Sequence, residues 1–138
     1  PGPGRRTGRW FGSGNFDACH NLALVPETPL AGTAIAPADA TRPGWALYRG
    51  WSLAPGADEH EVLLDIVSTS PIGPAPSVRV QAPGPADTWN TVGSAKVAAG
   101  YSGELAIQLR SGAALRKSDG TFRLVLEGAV KVSGVQLK

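Results

Sequence analysis

The sequence predicts an all-β domain, an antiparallel two-sheet β-sandwich of jelly-roll type with an extended N-terminal arm. Three observations predict it. Apolar and polar residues alternate with a period of two in one segment after another. Pro-Gly, Gly-Pro and Asp-Gly pairs interrupt the chain at intervals that suit short strands, at Pro43-Gly44, Pro55-Gly56, Gly73-Pro74, Pro83-Gly84-Pro85 and Asp119-Gly120. No amphipathic period of 3.6 persists for three turns, which removes α/β folds and their phosphate-binding glycine loops.

Taken in chain order, residues 1–14 hold five Gly, two Pro and three Arg, with Trp10 and Phe11 as the only apolar anchors. Ordering each residue costs about 1–2 kcal/mol, so this Gly/Pro/Arg-rich stretch is expected to be an arm or linker held by partners. Residues 15–138 are then the sandwich. Strands are expected at Leu22 to Val25, Thr33 to Ala36, Trp45 to Leu53 and Thr91 to Ala98, and the only helical turn at Pro37 to Thr41. Glu61 to Ser68 sets Val62, Leu64 and Ile66 against Leu63, Asp65 and Val67. Both faces are mostly apolar, as a central strand requires. Val78 to Ala82 reads as half exposed. Glu104 to Arg110 points Leu105, Ile107 and Leu109 one way and Glu104, Gln108 and Arg110 the other. Thr121 to Glu127 sets Phe122, Leu124 and Leu126 against Thr121, Arg123 and Glu127, and Ser118-Asp119-Gly120-Thr121 before it suits a hairpin turn. In the closing run from Ala129, Val130 and Val132 are followed by Val135 and Leu137, so the phase slips by one at Gly134, as at a β-bulge. The expected count is eight or nine strands.

Composition bounds the function. The 138 residues, 14.2 kDa, suit one domain. Thirteen basic residues against 11 acidic ones leave +2, too small a surplus to favour nucleic acid as a partner. No apolar run approaches the roughly 18 residues that span a bilayer, so no membrane partner is expected. Cys19 is the only cysteine, which excludes an internal disulfide, and it is expected as a small buried residue. Methionine is absent, position 1 included, as expected of a processed protein or a segment of a longer one.

Catalysis is not expected. Gly12-Ser13-Gly14 and Gly100-Tyr101-Ser102-Gly103 both miss the spacing of a nucleophile elbow. Around His60, neighbours in an extended chain face opposite ways, so at most Asp58 with His60, or Glu59 with Glu61, could share a ligand. No second donor cluster completes the set, and a solvated acidic loop is expected there. No metal and no cofactor are implied.

The aromatic residues carry more. Trp10, Trp45, Trp51 and Trp89, with Tyr48 and Tyr101, stand beside Gly, Pro, Asn or Arg, whereas the clear core positions are Val, Leu, Ile and Phe122. Sugars stack their C–H faces on such rings while polar neighbours meet the hydroxyls. Trp45, Tyr48, Arg49 and Trp51 form one candidate platform, and Trp89 with Asn90 another. The alternative is that these rings plug the sandwich ends or bury in a subunit interface. In the arm, Arg5, Arg6 and Arg9 are expected to meet carboxylates, with Trp10 and Phe11 docked on the sandwich or on a neighbouring chain. From Lys96 to Lys138 seven cations face three anions, a solvated surface or a contact for an acidic partner.

The run "YSGELAIQLRSGAALRKSDGTFRLVLEGAVKVSGVQLK", Tyr101 to Lys138, resembles the closing strands of galactose-binding-like β-sandwiches of the carbohydrate-binding-module type. "WSLAPGADEHEVLLDIVS" is similar to their early strand. In those modules the last strand often carries acidic residues at the bulge, sometimes with a structural calcium; Ser133-Gly134 stands there in this chain, and no calcium is expected. "PGPGRRTGRWFGSG" is similar to the junction before the β-rich head of collagen-like fibres of bacteria and phages. The resemblances imply a non-catalytic attachment domain that recognises a glycan or cell-surface polymer, in an extracellular or phage tail protein. The other implied reading is a structural virion protein, a capsid decoration or tail component. Its partners would be neighbouring protein subunits, with a homo-oligomer such as a trimer in view.

Overall fold

The computed structural model describes residues 11–12, 16–26, 33–49, 60–69, 75–110 and 121–137. They form β1 (Phe11–Gly12), β2 (Ala18–His20), β3 (Leu22–Pro26), β4 (Thr33–Pro37), β5 (Gly44–Tyr48), β6 (His60–Thr69), β7 (Ser77–Pro83), β8 (Trp89–Lys96), β9 (Gly103–Leu109), β10 (Phe122–Glu127) and β11 (Val130–Leu137). Two antiparallel sheets result, in the orders β3-β4-β11-β6-β9 and β2-β5-β10-β7-β8, and β1 pairs with β11. The fold is the all-β sandwich that the alternation predicts.

Period-two alternation decides which side chains meet between the sheets. In β7 exposure alternates residue by residue, with Val78, Val80 and Ala82 buried and Arg79 and Gln81 half-buried on the other side. β6 is central, between β11 and β9, and its Val62, Leu64 and Ile66 pack with Val80, Ile107, Leu124 and Val132 in one core cluster. Each such side chain contributes about 1.5–3 kcal/mol when fully buried. The slip at Gly134 is a bulge: Val132 pairs with Ile66 and Gly134 with Asp65, so Ser133 is passed over.

The two sheets approach at their edge strands β8 and β9. The Arg110 amide donates to the Val92 carbonyl at 2.6 Å. A Cβ on Gly93 would lie 2.8 Å from the Gln108 carbonyl oxygen, so only glycine allows this approach.

Several expectations are corrected. The described strands number eleven, because the short β1 and β2 carry too few residues for alternation to show. Phe11 and Gly12 pair with Val135 and Gly134, so the backbone of these two arm residues belongs to a sheet. Residues 38–42 turn without helix, since Asp39 accepts from the Thr41 amide and hydroxyl at 3.0 and 2.6 Å. Among the described residues the tight turn at Pro85–Asp87 is no right-handed helix either, since Ala86 and Asp87 have positive φ. Cys19 is exposed, because β2 pairs only with β5 and forms the edge of its sheet. His60 is buried as the first residue of β6, opposite Leu109, and does not stand in a solvated loop. The hairpin turn expected at 118–121, Asp58, Glu59 and the extension of β5 to Leu53 lie outside the described residues, except for Thr121.

Candidate functional site

The outward face of the β2-β5-β10-β7-β8 sheet carries four planar side chains in a row. Register places them. His20 is the cross-strand partner of Trp45, Leu47 faces Arg123, Arg123 faces Gln81, and Gln81 faces Thr91. The His20 and Trp45 rings stack at 6.0 Å between centroids with 27° between planes. The Arg123 guanidinium lies 4.8 Å from the Trp45 centroid and 4.3 Å from the Trp89 centroid, held between the two indoles. Each cation–π contact contributes about 0.5–2 kcal/mol, more where water is excluded.

Below this row the sheet face is apolar. Leu47 and Val125 point away from the sandwich core yet are only 7% and 3% exposed. Arg123 and Trp45 are their cross-strand neighbours, so among the described residues the long side chains of the row stand beside this apolar patch. Gln81 fixes Arg123 from the side: its Oε1 accepts from Nη2 at 2.7 Å and from Nε at 3.2 Å. Arg79, on the same face, pairs with Glu127 at 2.6 Å. Burial and, second, the Arg79 charge push the Arg123 pKa down.

Trp89 is aimed by the turn before it. Ala86 and Asp87 adopt left-handed φ of 55° and 60°, and Thr88 closes the turn through its amide and its hydroxyl, which donate to the Pro85 carbonyl at 3.2 and 2.7 Å. Such residues cost about 1–3 kcal/mol each, and they cluster where a side chain must be presented. Past Thr91 the face continues into a cleft of about 420 Å³ between β8 and β9, lined with Ser94, Gln108 and Arg110 among others.

The structure sorts the predicted site residues. Trp45 and Trp89, assigned to separate platforms by sequence, share one face with Arg123 between them. Tyr48 is a correction: it faces the core, fully buried, with its ring 5.3 Å from Phe122, and burial pushes its phenol pKa up. Asn90 is another. It follows Trp89 in an extended strand and pairs with inward-facing Ala82, so it leaves the Trp89 face and lies against Gly84. Arg49 is exposed just after β5, and its amide donates to Asp17 Oδ2 at 2.9 Å. Tyr101 packs against the core, its hydroxyl donating to the Glu104 carbonyl at 2.5 Å. Trp51, Arg5, Arg6, Arg9 and Trp10 lie outside the described residues, as does the side chain of Phe11.

Sequence reasoning did not assign His20, Gln81 or Arg123 to a ligand-binding face. The alternation of β10 does turn Arg123 outward, but only the strand order shows that β10 runs between the strands that carry the two tryptophans. Among the described residues no three His, Cys, Asp or Glu side chains gather as a metal site would need, and no helix is long and apolar enough to cross a membrane.

No protein-family profile matches the sequence, and no curated protein does. Solved structures do match. A family 6 carbohydrate-binding module from Clostridium stercorarium, in complex with cellobiose, superposes with a TM-score of 0.63 at 16% identity, over 95% of this chain and 93% of its own. A β-1,3-glucan-binding module of the same family from Bacillus halodurans gives 0.62 at 14% identity, over 95% and 96%. A third family 6 module gives 0.58 at 13%, over 95% and 93%. Likeness at these identities shows a shared fold, the carbohydrate-binding-module sandwich that the closing strands resemble.

Proposed function

We propose that this chain is a non-catalytic carbohydrate-binding domain of an extracellular attachment protein, with the outward face of the β2-β5-β10-β7-β8 sheet as its ligand surface. The observation that carries the reading is the contact of the Arg123 guanidinium with both Trp45 and Trp89 on the outward face of one sheet. Both indoles are half-buried, and among the described residues the second face of Trp89 has no ring or cation against it. That face offers a pyranose a stacking platform, with Gln81, Thr91 and the polar cleft beside it for hydroxyls. Modules of the same fold that bind cellobiose and a β-1,3-glucan support a glycan as ligand class. The Gly/Pro/Arg-rich lead-in supports attachment to a larger protein, of which a phage tail fibre is one kind.

A glycan-array screen beside a light-scattering mass tests this. Glycan binding that Trp89→Ala removes is the expected result. A stable trimer that binds no glycan overturns it in favour of a structural subunit that buries these rings between chains.

A further inference from the structure

We infer that this same sheet face selects glycans bearing a carboxylate, that is uronic-acid-containing polysaccharides, and that the free end of the Arg123 guanidinium is the recognising group. The inference rests on the reading of that face as a glycan surface and names the ligand class.

A guanidinium offers five N–H donors in one plane. Two of Arg123's, on Nε and Nη2, go to the neutral amide oxygen of Gln81. Among the described residues the second Nη2 hydrogen and both on Nη1 remain, and one from each nitrogen forms the end-on fork that matches two carboxylate oxygens with parallel hydrogen bonds. Among the described residues no carboxylate pairs with Arg123. The carboxylate on this face, Glu127, is engaged by Arg79. Arg79 itself keeps a buried Nε without a hydrogen-bond partner, so the face holds more cationic donor capacity than its own acceptors use.

The indoles sharpen the choice. The guanidinium carbon lies 4.8 and 4.3 Å from their ring centroids, so both indoles crowd the group and a ligand is recognised through the N–H donors that remain. A neutral pyranose hydroxyl can accept one hydrogen bond there but leaves the partly desolvated charge uncompensated. A carboxylate supplies both.

Charge across the molecule points the same way. Described outward positions of the β2-β5-β10-β7-β8 sheet include Arg79, Lys96 and Arg123 against Glu127, whereas those of the opposite sheet include Glu61, Asp65 and Glu104 against Lys131. An anionic chain is attracted to the first face and repelled from the second.

The test is affinity electrophoresis of the full chain in gels containing polygalacturonate, alginate or glucuronoxylan, each beside its carboxyl-reduced form at physiological salt. The inference predicts that at least one acidic polysaccharide retards the protein about tenfold more strongly than its reduced form, as befits a charge-assisted pair. Arg123→Gln and Arg123→Lys both erase that preference, with circular dichroism showing that each variant keeps the β fold. The lysine variant separates the fork from diffuse attraction, since it keeps the charge. Equal binding of acidic and reduced forms overturns the inference and leaves the glycan reading intact. Retention of the preference in Arg123→Lys also overturns it, because simple charge attraction then suffices. Failure to bind any of these polysaccharides, or any neutral glycan, overturns the glycan reading itself.

Discussion

The two outward faces of the sandwich are made by the same alternation, and they differ in what they display. On the β2-β5-β10-β7-β8 sheet, the buried outward Leu47 and Val125 neighbour Arg123 and Trp45, which form a row with His20 and Trp89, two of the four being indoles and one a guanidinium. On the other sheet, the buried outward residues are Ala34, Leu63 and Gln136, and the β9 partner of Leu63 is Ala106, flanked by the pairs Glu61 with Gln108 and Asp65 with Glu104. A fold needs outward positions to be polar or covered, and both faces meet that need. A glutamate or an alanine satisfies it at far less cost than a tryptophan. The large planar groups on one face are therefore what packing does not explain, and function is sought there.

The sharpest way to break this contrast is to remove the indoles. Trp89→Ala or Trp45→Ala is expected to weaken polysaccharide binding by about thirtyfold or more, the usual effect of losing a central aromatic contact. Glu104→Ala on the opposite face leaves it unchanged; affinity electrophoresis reads both. A comparable loss from Glu104→Ala would erase the distinction between the faces.

Stability offers the next contrast. Arg123→Ala loses two cation–π contacts and part of the cover over Leu47, and urea unfolding is expected to show a loss of about 1–3 kcal/mol. Glu61→Ala, which breaks the 2.6 Å bond from Gln108 Nε2 on the other face, is expected to cost about 0.5–1.5 kcal/mol. Equal losses would mean that the planar row contributes no special cover.

How far the sequence foretells these faces depends on the range of the information. Alternation in β6, β7, β9, β10 and β11 fixes which residues turn inward, because period two is a local property of an extended chain. It also carries the bulge, visible as the phase slip at Gly134. What it lacks is strand order. Trp45 and Trp89 are far apart in sequence and meet only because β10 and β7 lie between β5 and β8. Tyr48 shows the complementary failure. Its neighbours Trp45 and Arg49 suggested an exposed platform, yet the alternation of β5 turns it inward with Ala46, against Phe122. The edge position of β2, which exposes Cys19, is likewise a fact of topology.

Smaller effects refine the account away from either face. Breaking the Arg79–Glu127 pair with Glu127→Gln should change stability by no more than about 1 kcal/mol, since both side chains are more than a third exposed. The β4–β5 turn should respond to acid. Hydrogen bonds from the Thr41 hydroxyl and amide, ahead of the Arg42 charge, hold the Asp39 carboxyl below its ordinary range. A lowered folded-state pKa contributes stability above the unfolded value, and that contribution is lost as the pH falls through the folded one. The melting temperature should therefore fall slightly more on acidification below about pH 4 in the native chain than in Asp39→Asn, as thermal scans at stepped pH will read.

The central claim, that glycan is bound on the indole-bearing face, is tested most directly by the indole N–H signals of the four tryptophans in a proton–nitrogen correlation spectrum. Each is assigned by single Trp→Phe variants, and the spectrum is titrated with oligosaccharides from a polysaccharide the domain binds. The account predicts that the Trp45 and Trp89 signals move together and saturate at one ligand concentration, along with the Nε–H of Arg123. Saturable binding that leaves Trp45, Trp89 and Arg123 unmoved while other signals shift would contradict it.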